Sequence, residues 1–386
     1  MEKHMLKHGA LDGIKVLDLS RLLPGPFCSM ILADHGADVI AIEDGTRGTP
    51  ALFFNGVNRN KRHMSLNLKS DEGREIFYRM AKDADVILEG FRPGVVARLG
   101  VDYDTIKEIN PRIVYCAITG YGQTGPFKKE AGHDVNYLSH AGVLDLIGEP
   151  DSPPSIPGIQ VADIAGGSMN AAMGILLALF AREKTGKGQY IDISMTDGVA
   201  GFLLLPKDLA KLSGGVATRS QGMLSHRYAC YNTYKTSDNR SIAVGAVEPV
   251  FWQRLCDHLG KPEFIPLQYD ETRRGEIIAW LRGVFATKSG EAWDEELSKI
   301  DACTTLVKTM NEALASDLFA SREMAAALPS SNGKAHKTVG IPVKLSDTPG
   351  SLRSSPEAFG SSTDDILQEL GFSNHEIQNL KEEKVI

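Results

Sequence analysis

Residues 14–44 read IKVLDLSRLLPGPFCSMILADHGADVIAIED, and this stretch decides the fold class. The runs IKVLDLS and DVIAIED at its two ends are short and rich in β-branched residues, which is typical of strands. The segment between them, GPFCSMILADHGA, has the length and the amphipathic pattern of a helix. The stretch therefore predicts a strand, a helix and a second strand, which together form a βαβ unit.

The same alternation continues toward the C-terminus. HMSLNL (63–68) and DVILEG (85–90) read as strands around the helical DEGREIFYRMAKDA (71–84), and RIVYCAIT (112–119) follows as a further strand. Such alternation predicts an α/β fold with a doubly wound parallel sheet, in a large Rossmann-like domain. The first strand-to-helix turn, RLLPGPF (21–27), carries prolines where a dinucleotide-binding turn has spaced glycines, which disfavours an ordinary NAD enzyme.

The pattern changes after the strand-like QYIDISM at 189–195. Residues 228–248, YACYNTYKTSDNRSIAVGAVE, read as two β runs joined by the turn-forming SDNR, and helical patterns follow, which predicts a smaller α+β domain. The predicted division is a large α/β domain at 1–200 and 335–386, a linker at 201–226, a small domain at 227–320 and a return linker at 321–334. A short helix, TDDILQELG, is predicted to close the chain.

Composition favours a small-molecule enzyme. The 386 residues carry a net charge of -7, which argues against nucleic acid or an anionic membrane as a partner. The five cysteines are scattered without the spacing of a zinc site, so no metal is expected. Unpaired cysteines also predict a reducing, cytoplasmic location. The first residues lack an apolar core of signal-peptide length, and the longest apolar run, GILLALFA at 174–181, is too short to span a bilayer.

Three ionisable residues stand at boundaries between loops and structured runs, where α/β folds place substrate-facing side chains. His133, the second residue of the run GHDVNYLSHAGVL (132–144), is either a catalytic base or a helix cap. Asp163 in VADIAGGSMNAAMG is expected near a helix N-terminus, as a cap, a catalytic group or both. Glu248 in VGAVEP is either a first-turn helix acid or a buried carboxylate that shares a proton with a histidine.

Two basic clusters follow early parts of the predicted sheet. NRNKRH (58–63) contains Arg59, Lys61 and Arg62, and FRPGVVARLG (91–100) contains Arg92 and Arg98. Such clusters are usually solvated surface, but in an acidic protein they could also hold the anionic tail of a cofactor by charge-assisted hydrogen bonds. From the residues alone the chain is thus an α/β enzyme with a candidate site for a phosphorylated acyl carrier.

These stretches resemble the class III CoA-transferase and α-methylacyl-CoA racemase superfamily along nearly the whole chain. The resemblance implies a CoA thioester as substrate, no prosthetic group, and an interlocked homodimer in which each chain threads through the other. It lies in residues 11–40, which resemble the family's opening βαβ unit, in 58–69, in the loops at 91–103 and 119–126, and in VADIAGG (161–167), which resembles its active-site aspartate motif.

The position of Asp163 belongs to both chemistries of the superfamily. In the transferases it resembles the nucleophile that forms an acyl-aspartyl anhydride, and in the racemases an acid/base on the carbon next to the thioester. The transferases typically have a glycine-rich loop at AVGAVEP (243–249), a tyrosine-bearing segment at GHDVNY (132–137) and a glutamine at Leu23. All three departures favour the racemase branch.

In the racemase branch the histidine of GHD pairs with the glutamate of VGAxEP on one face of the α-carbon, and the aspartate works on the other. The resemblance therefore implies that His133, Glu248 and Asp163 are catalytic; the DACTT segment (301–305) also resembles a racemase element. Backbone N–H groups near the Asp163 helix are expected to stabilise the enolate oxygen, and Asp134 is expected to fix the loop that aims His133.

The predicted function is racemisation or epimerisation of 2-methyl-branched acyl-CoA thioesters in fatty-acid metabolism, by two-base α-proton transfer through an enolate. The first alternative is a class III CoA-transferase that moves CoA between carboxylic acids, and the second is a non-catalytic CoA-binding dimer. The acyl chain stays open, and the methionines of SMNAAMG (168–174) are either an adaptable apolar surface or core filler.

On the CoA side, Arg98 matches the superfamily's CoA-site arginine and is the leading candidate. Arg59, Lys61, Arg62 and Arg92 are further candidates. The family commonly has an arginine just after the second strand, where this chain has Asp44, and Arg47 is the candidate replacement.

Overall fold

A computed structural model describes residues 9–44, 56–212, 215, 217–328 and 336–386. The chain forms two compact units. The first comprises Met1–Ala141, Gly158–Gly201 and Asp317–Ile386, and the second Gly142–Pro157 and Phe202–Ser316.

Regular elements follow one another closely along the described chain. In chain order they are β1 (Lys15–Asp18), α1 (Pro24–Asp34), β2 (Asp38–Glu43), β3 (Arg62–Ser65), α2 (Asp71–Ala81), β4 (Val86–Glu89), α3 (Val95–Leu99), α4 (Tyr103–Ile109), β5 (Val114–Thr119), α5 (Asp134–His140), a π-helical segment (Ala162–Met169), α6 (Asn170–Thr185), β6 (Tyr190–Ser194), α7 (Met195–Ala200), α8 (Leu204–Leu212), β7 (Tyr231–Lys235), β8 (Ser241–Gly245), α9 (Pro249–His258), α10 (Arg274–Phe285), α11 (Gly290–Leu297), β9 (Thr304–Leu306), α12 (Met310–Leu314), α13 (Asp317–Ser321), β10 (Ala325–Leu328), β11 (His336–Val339), α14 (Thr363–Glu369) and α15 (Asn374–Glu382).

The first unit is built on a six-stranded parallel sheet in the order β3-β2-β1-β4-β5-β6. Its central strands are buried, because a parallel sheet covered on both faces needs runs of apolar residues such as VIL in β4 and VYCAI in β5. The predicted α/β class and doubly wound sheet are confirmed. The strand order reverses between β1 and β4, and in folds of this type ligands bind beside the carboxyl ends of those strands.

The C-terminal part of the first unit packs on this sheet. Ile366, Ile377 and Leu380, from α14 and α15, join one core cluster with residues of the sheet and of α2. The short helix predicted to close the chain is α14, and the last helix, α15, was not predicted. Ser373 caps the N-terminus of α15, where its hydroxyl accepts a hydrogen bond from the Glu376 backbone N–H. The predicted return linker at 321–334 also contains β10, which pairs antiparallel with β11.

The second unit contains an antiparallel sheet in the order β7-β8-β9 with helices packed on it. The β7–β8 hairpin confirms the two β runs joined by SDNR. In contrast to the predicted division, Gly142–Pro157 groups with this unit. A physical reason is Arg219, which donates to the backbone oxygens of Asp145 and Ser152 and to the Asp145 carboxylate (2.8 Å), and so ties that segment to the residues after α8.

The apolar run at 174–181 belongs to one continuous helical stretch, Ala162–Thr185. This stretch has 24 residues and a window of mean hydropathy 1.7, so by length and composition alone it could cross a membrane, unlike the isolated run. Of that window 44% is buried inside the protein, and one helix of this kind is weak evidence for a membrane span. Near the C-terminal end of this helix, the buried Arg182 donates a hydrogen bond to the carboxylate of Asp85, the residue before β4. This contact anchors the helix to the sheet.

Candidate active site

A cavity of about 260 Å³ opens at the carboxyl edge of the parallel sheet. Segments that directly follow β1, β4 and β5 contribute to its walls, for example Arg21, Gly90 and Gly120. His133 and Asp163 both line this cavity. The structure therefore brings together two of the three predicted catalytic residues, and we call this space the reaction cavity.

Asp163 is the second residue of the π-helical segment, so it is not the helix cap that the sequence also allowed. The wider turn of a π-helix is rare and occurs mostly at functional sites. Small residues make it possible here: a Cβ on Gly166 would lie 2.5 Å from the Met195 backbone oxygen, and one on Gly198 would lie 2.3 Å from the Gly166 oxygen. Close backbone contact with α7 thus holds the segment that presents Asp163.

Burial makes Asp163 a weaker acid than a free aspartate. Its side chain is half-buried, and this desolvation, together with the negative charge of Asp134, raises its pKa to about 6, although His133 acts in the opposite direction. A carboxyl group with this pKa is present in both protonation states near neutral pH. It can therefore serve as a proton donor or a proton acceptor.

Asp134 links the two predicted catalytic segments. One oxygen of its carboxylate accepts the backbone N–H groups of Ala162 (2.6 Å) and Asp163 (3.0 Å), which open the π-helical segment, while Asp134 itself begins α5 directly after His133. The expected role of Asp134 in positioning His133 is therefore extended to Asp163. Backbone N–H groups near the Asp163 helix were expected to stabilise an enolate oxygen. Those of Ala162 and Asp163 already donate to Asp134, so such stabilisation must come from other donors.

His133 occupies the N-cap position of α5 with an extended backbone (φ -131°, ψ 176°) and an exposed side chain. Its backbone N–H donates to Asn136 Oδ1 (3.1 Å), and the preceding Gly132 oxygen accepts a hydrogen bond from the Tyr137 hydroxyl (2.5 Å). The Tyr137 ring also lies so close to Gly120 that a Cβ there would be 2.3 Å from it. These contacts fix the backbone around His133, which lines the reaction cavity.

The turn between β1 and α1 forms another wall. Leu22, half exposed, adopts a left-handed backbone (φ 64°), and it lines the reaction cavity with Arg21. Below the turn the buried Asp18 carboxylate accepts hydrogen bonds from both Ser20 and Ser29. Buried polar groups of this kind rigidify the loop that they hold.

A second and larger cavity, of about 720 Å³, lies beside the reaction cavity. Arg92 and Arg98 line it, together with Lys69, which is paired with Asp44 (3.1 Å). Arg92 also lines the reaction cavity, and both arginines are exposed. Two of the five predicted CoA-binding residues thus face one space, which we call the basic cavity.

The remaining three basic candidates line neither of these cavities. Arg59 is buried and forms a bidentate hydrogen-bonded pair with the Asp34 carboxylate (Nη2 to Oδ2, 2.7 Å). Lys61 is fully buried, and its Nζ donates to the Pro26 backbone oxygen (2.8 Å). Burial lowers the pKa of Lys61 to about 8. Arg62 pairs with Asp38 and Glu369 at the amino edge of the sheet. Their geometry supports structural roles and gives no support to CoA binding.

Glu248 lies in the second unit, where it is the exposed N-cap residue of α9. It is not the buried carboxylate that the sequence also allowed, and its pairing with His133 stays a prediction. The exposed Cys303 of the DACTT segment has a left-handed backbone (φ 52°), and its oxygen accepts a hydrogen bond from the Gly245 N–H, three residues before Glu248. Arg47 lies outside the described residues.

Several residues of the reaction cavity were not predicted from the sequence: Arg21, Leu22, Lys128, Glu130 and Tyr137. Tyr137 was visible in the quoted GHDVNY motif, and Arg21 and Leu22 in the quoted RLLPGPF turn. Lys128 and Glu130 lie in an exposed segment and belong to no motif that could have indicated them. Among the described residues no group of three or more His, Cys, Asp or Glu side chains is placed to hold a metal ion.

A family model described as CoA-transferase family III matches residues 11–363, which include both cavities. The chain belongs to CoA-transferase family III. Members of CoA-transferase family III act on CoA thioesters, so the protein is an enzyme of acyl-CoA chemistry and the predicted superfamily is confirmed.

Named relatives within CoA-transferase family III include both chemistries. The chain is 38% identical over 384 residues to an α-methylacyl-CoA racemase of Homo sapiens, covering 98% of this chain and 97% of the relative. It is 36% identical over 406 residues to an acyl-CoA transferase of Fusarium pseudograminearum, covering 98% and 88%. The crystal structure of a CAIB/BAIF family protein from Brucella suis superimposes with a TM-score of 0.81 at 29% identity, covering 94% of this chain and 100% of that one.

Proposed function

We propose that the protein racemises or epimerises 2-methyl-branched acyl-CoA thioesters. The observation that carries the proposal is the pairing of His133 and Asp163 in one cavity, with the pKa of Asp163 raised to about 6. Inversion of a carbon requires one group that removes a proton and a second that returns one to the opposite face. The similarity to the human α-methylacyl-CoA racemase supports the same chemistry.

In the proposed mechanism the thioester carbonyl acidifies the α-hydrogen of the substrate. In one direction neutral His133 takes this proton and becomes an imidazolium, the electron pair moves into the enolate, and the Asp163 carboxylic acid protonates the other face of the α-carbon. In the reverse direction the Asp163 carboxylate removes the proton and the imidazolium returns one. Glu248 is proposed to stabilise the imidazolium.

The nucleotide end of the substrate is proposed to lie in the basic cavity. The volume of this cavity, about 720 Å³, suits a large ligand. Arg92 and Arg98 are exposed there, with their guanidinium groups available for phosphate. Arg92 lines both cavities, so one CoA thioester could extend from the basic cavity into the reaction cavity past this residue. CoA is then part of the substrate and no prosthetic group is required.

Deuterium exchange tests the reaction directly. An enantiopure 2-methylacyl-CoA incubated in deuterated water without an acyl acceptor is expected to become racemic and α-deuterated. Asp163→Asn, which keeps the shape but cannot exchange the proton, is expected to slow this about 10²–10⁴-fold, and His133→Gln similarly. Retention of both configuration and α-hydrogen by the unmodified enzyme would exclude the proposal.

A CoA-transferase is the second candidate, favoured by the acyl-CoA transferase of Fusarium pseudograminearum at almost the same identity. In that chemistry the Asp163 carboxylate attacks the thioester carbonyl, CoA leaves as the thiolate, and a mixed anhydride remains on the aspartate. Hydroxylamine would trap this adduct on Asp163 in a transferase. Racemisation forms no such adduct, so trapping together with CoA exchange into a free acid would select the transferase.

The pH profile tests the coupling between Asp134 and Asp163. When Asp163 acts as the base, activity is expected to fall below about pH 6, because the protonated form cannot accept the α-hydrogen. Asp134→Asn removes the negative charge that raises the pKa of Asp163 and keeps an oxygen for the two N–H groups. We expect the acid limb of kcat/KM, which reports the free enzyme, to move to lower pH. Asp134→Ala should instead reduce kcat, because both segments lose their link.

The protein is further proposed to be an interlocked homodimer. Along the π-helical segment and α6 an apolar stripe is exposed at helical spacing, with 50% of Met169, 54% of Met173, 63% of Leu177 and 64% of Phe180 accessible. The two methionines are therefore not core filler. Light scattering should give twice the chain mass, and Leu177→Glu should shift it toward the monomer; a monomeric wild-type enzyme would contradict this proposal.

A cytoplasmic location is also proposed. All five cysteines are free thiols, and four of them are buried, which suits a reducing compartment. Fractionation of cells that express the full-length protein should recover it with soluble cytoplasmic markers.

A further inference from the structure

Glu89 is a buried carboxyl group that the proposed chemistry does not use. It is the last residue of β4 and is only 2% exposed. Its Oε2 accepts a hydrogen bond from the backbone N–H of Phe91 at 2.6 Å. Burial raises the pKa of Glu89 to about 7, the Phe91 N–H opposes this shift, and the charge of Asp192 adds to it.

Within the described part of the chain Glu89 forms no ion pair that would explain its burial. The ionisable groups there that interact with it are Tyr115, Cys116, Tyr190 and Asp192, and none of these four is a cation. A buried carboxyl without a cationic partner costs free energy relative to an apolar residue of similar size. The stability of the sheet is therefore not the reason for a glutamate at this position.

The hydrogen bond of Glu89 acts on the segment where the two cavities meet. Gly90, Phe91 and Arg92 line the reaction cavity and also the basic cavity, so these three residues form a wall that both share. The wall follows β4 directly, and Glu89 holds its second residue. Any shift of Phe91 would move Arg92 and would change both cavities at once.

We infer that Glu89 is a positioning residue for the CoA thioester, which acts by holding the Gly90–Arg92 wall through the Phe91 N–H. The inference rests on the proposed placement of CoA in the basic cavity. Glu89 touches neither the reacting carbon nor the catalytic pair, so its loss affects substrate affinity more than turnover. With its pKa raised to about 7, Glu89 is ionised in part of the molecules at neutral pH, and in that form the hydrogen bond from the Phe91 N–H is charge-assisted and among the stronger ones in proteins.

Two variants at this position are compared with a matched control. Glu89→Met fills the same volume and offers no acceptor to the Phe91 N–H, whereas Glu89→Gln keeps an acceptor oxygen without the charge. The control is Glu43→Met, at the end of β2: burial also raises the pKa of Glu43, but its side chain lines neither cavity. Affinity is measured by calorimetric titration with free CoA, and kcat and KM with the acyl-CoA substrate.

We expect Glu89→Met to weaken free CoA binding and to raise KM by about tenfold or more, with kcat changed less than about threefold. Glu89→Gln is expected to recover most of the affinity, and Glu43→Met to bind CoA within about twofold of wild type. Hydrogen–deuterium exchange of the peptide that contains residues 89–95 should quicken in Glu89→Met. A purely structural role would instead lower the melting temperature without separating KM from kcat.

Unchanged CoA affinity and unchanged exchange in a folded Glu89→Met protein would overturn the inference. If that variant does not fold, Glu89→Gln decides: a loss of the charge should still raise the dissociation constant for CoA about threefold, and no change in it or in exchange overturns the inference. Failure of the proposed racemisation is recognised separately, in the deuterium experiment with the wild-type enzyme. The CoA titration does not depend on which reaction is catalysed.

Discussion

The two basic segments, residues 58–63 and 91–100, have similar composition and opposite environments. In the first, Arg59 and Lys61 are buried and bonded to partners within the protein. In the second, Arg92 and Arg98 are exposed and line the basic cavity. The number of cations in a segment therefore does not indicate whether it binds an anionic ligand.

The difference follows from where each segment lies relative to its strand. NRNKRH leads into β3, so its arginines meet groups at the amino edge of the sheet, such as Asp38 at the start of β2. FRPGVVARLG follows β4 and lies at the carboxyl edge, where open α/β sheets bind ligands. A basic cluster that follows a parallel strand is thus the better candidate for a phosphate site.

The largest expected effect comes from Arg59. Arg59→Met should lower the free energy of unfolding by about 3–5 kcal/mol, because the buried Asp34 carboxylate then lacks its cation. Urea denaturation measures this loss, and the KM of the folded fraction for acyl-CoA should stay near the wild-type value. A stable Arg59→Met protein with a raised KM would assign Arg59 to ligand binding and remove the contrast between the segments.

The pH dependence of stability tests the first segment at His63. Burial, and next the charge of Lys61, lowers the pKa of this buried histidine to about 4 from 6.5. Between these values the unfolded chain binds the additional proton, so this group's contribution is present above pH 6.5 and is lost as the pH falls toward 4. The loss should approach about 3 kcal/mol. His63→Gln should flatten this part of the curve of unfolding free energy against pH; an unchanged slope would show that other groups cause it.

In the second segment Arg98→Met should raise KM for acyl-CoA about tenfold, because one charge-assisted contact to phosphate is lost. The free energy of unfolding should change by less than about 0.5 kcal/mol, since Arg98 is exposed. Steady-state kinetics and urea denaturation of the same preparation give both values. Equal KM values in Arg98→Met and wild type would leave Arg92 as the principal cation of the basic cavity.

The smallest effect is expected at Arg62. Its partners Asp38 and Glu369 are 44% and 61% exposed, so solvent screens both ion pairs. Arg62→Met should cost at most about 1 kcal/mol of unfolding free energy and leave KM unchanged. A larger loss would place Arg62 with Arg59 as a structural cation, and a raised KM would reverse its assignment.

Much of the fold could be predicted from short patterns. The βαβ unit at 14–44 and the later strands were readable because buried parallel strands are short apolar runs separated by amphipathic helices. The helix α15 was missed, although Ser373 and Glu376 form a capping box at its start. The grouping of Gly142–Pro157 with the second unit was not predictable, because it depends on contacts of Arg219 with residues about 70 positions away.

The candidate site, like the fold, was predictable in part. His133 and Asp163 were predicted because each lies in a motif that resembles one of the superfamily. The π-helical geometry around Asp163 has no local pattern, since it arises from close contact of its glycines with α7. The use of the Ala162 and Asp163 N–H groups by Asp134 was not foreseen either, because the acceptor lies about 28 residues earlier in the chain.

The glycines where the π-helical segment meets α7 also determine where the enzyme can be redesigned. Any side chain at Gly166 would meet the Met195 backbone, and any at Gly198 would meet the Gly166 oxygen, so a mutant library gains nothing at these positions. Lys128 and Glu130 border the same cavity from an exposed segment and have room to change. Libraries that are selected for new acyl groups should therefore randomise Lys128 and Glu130 and leave the π-helical segment around Asp163 unchanged.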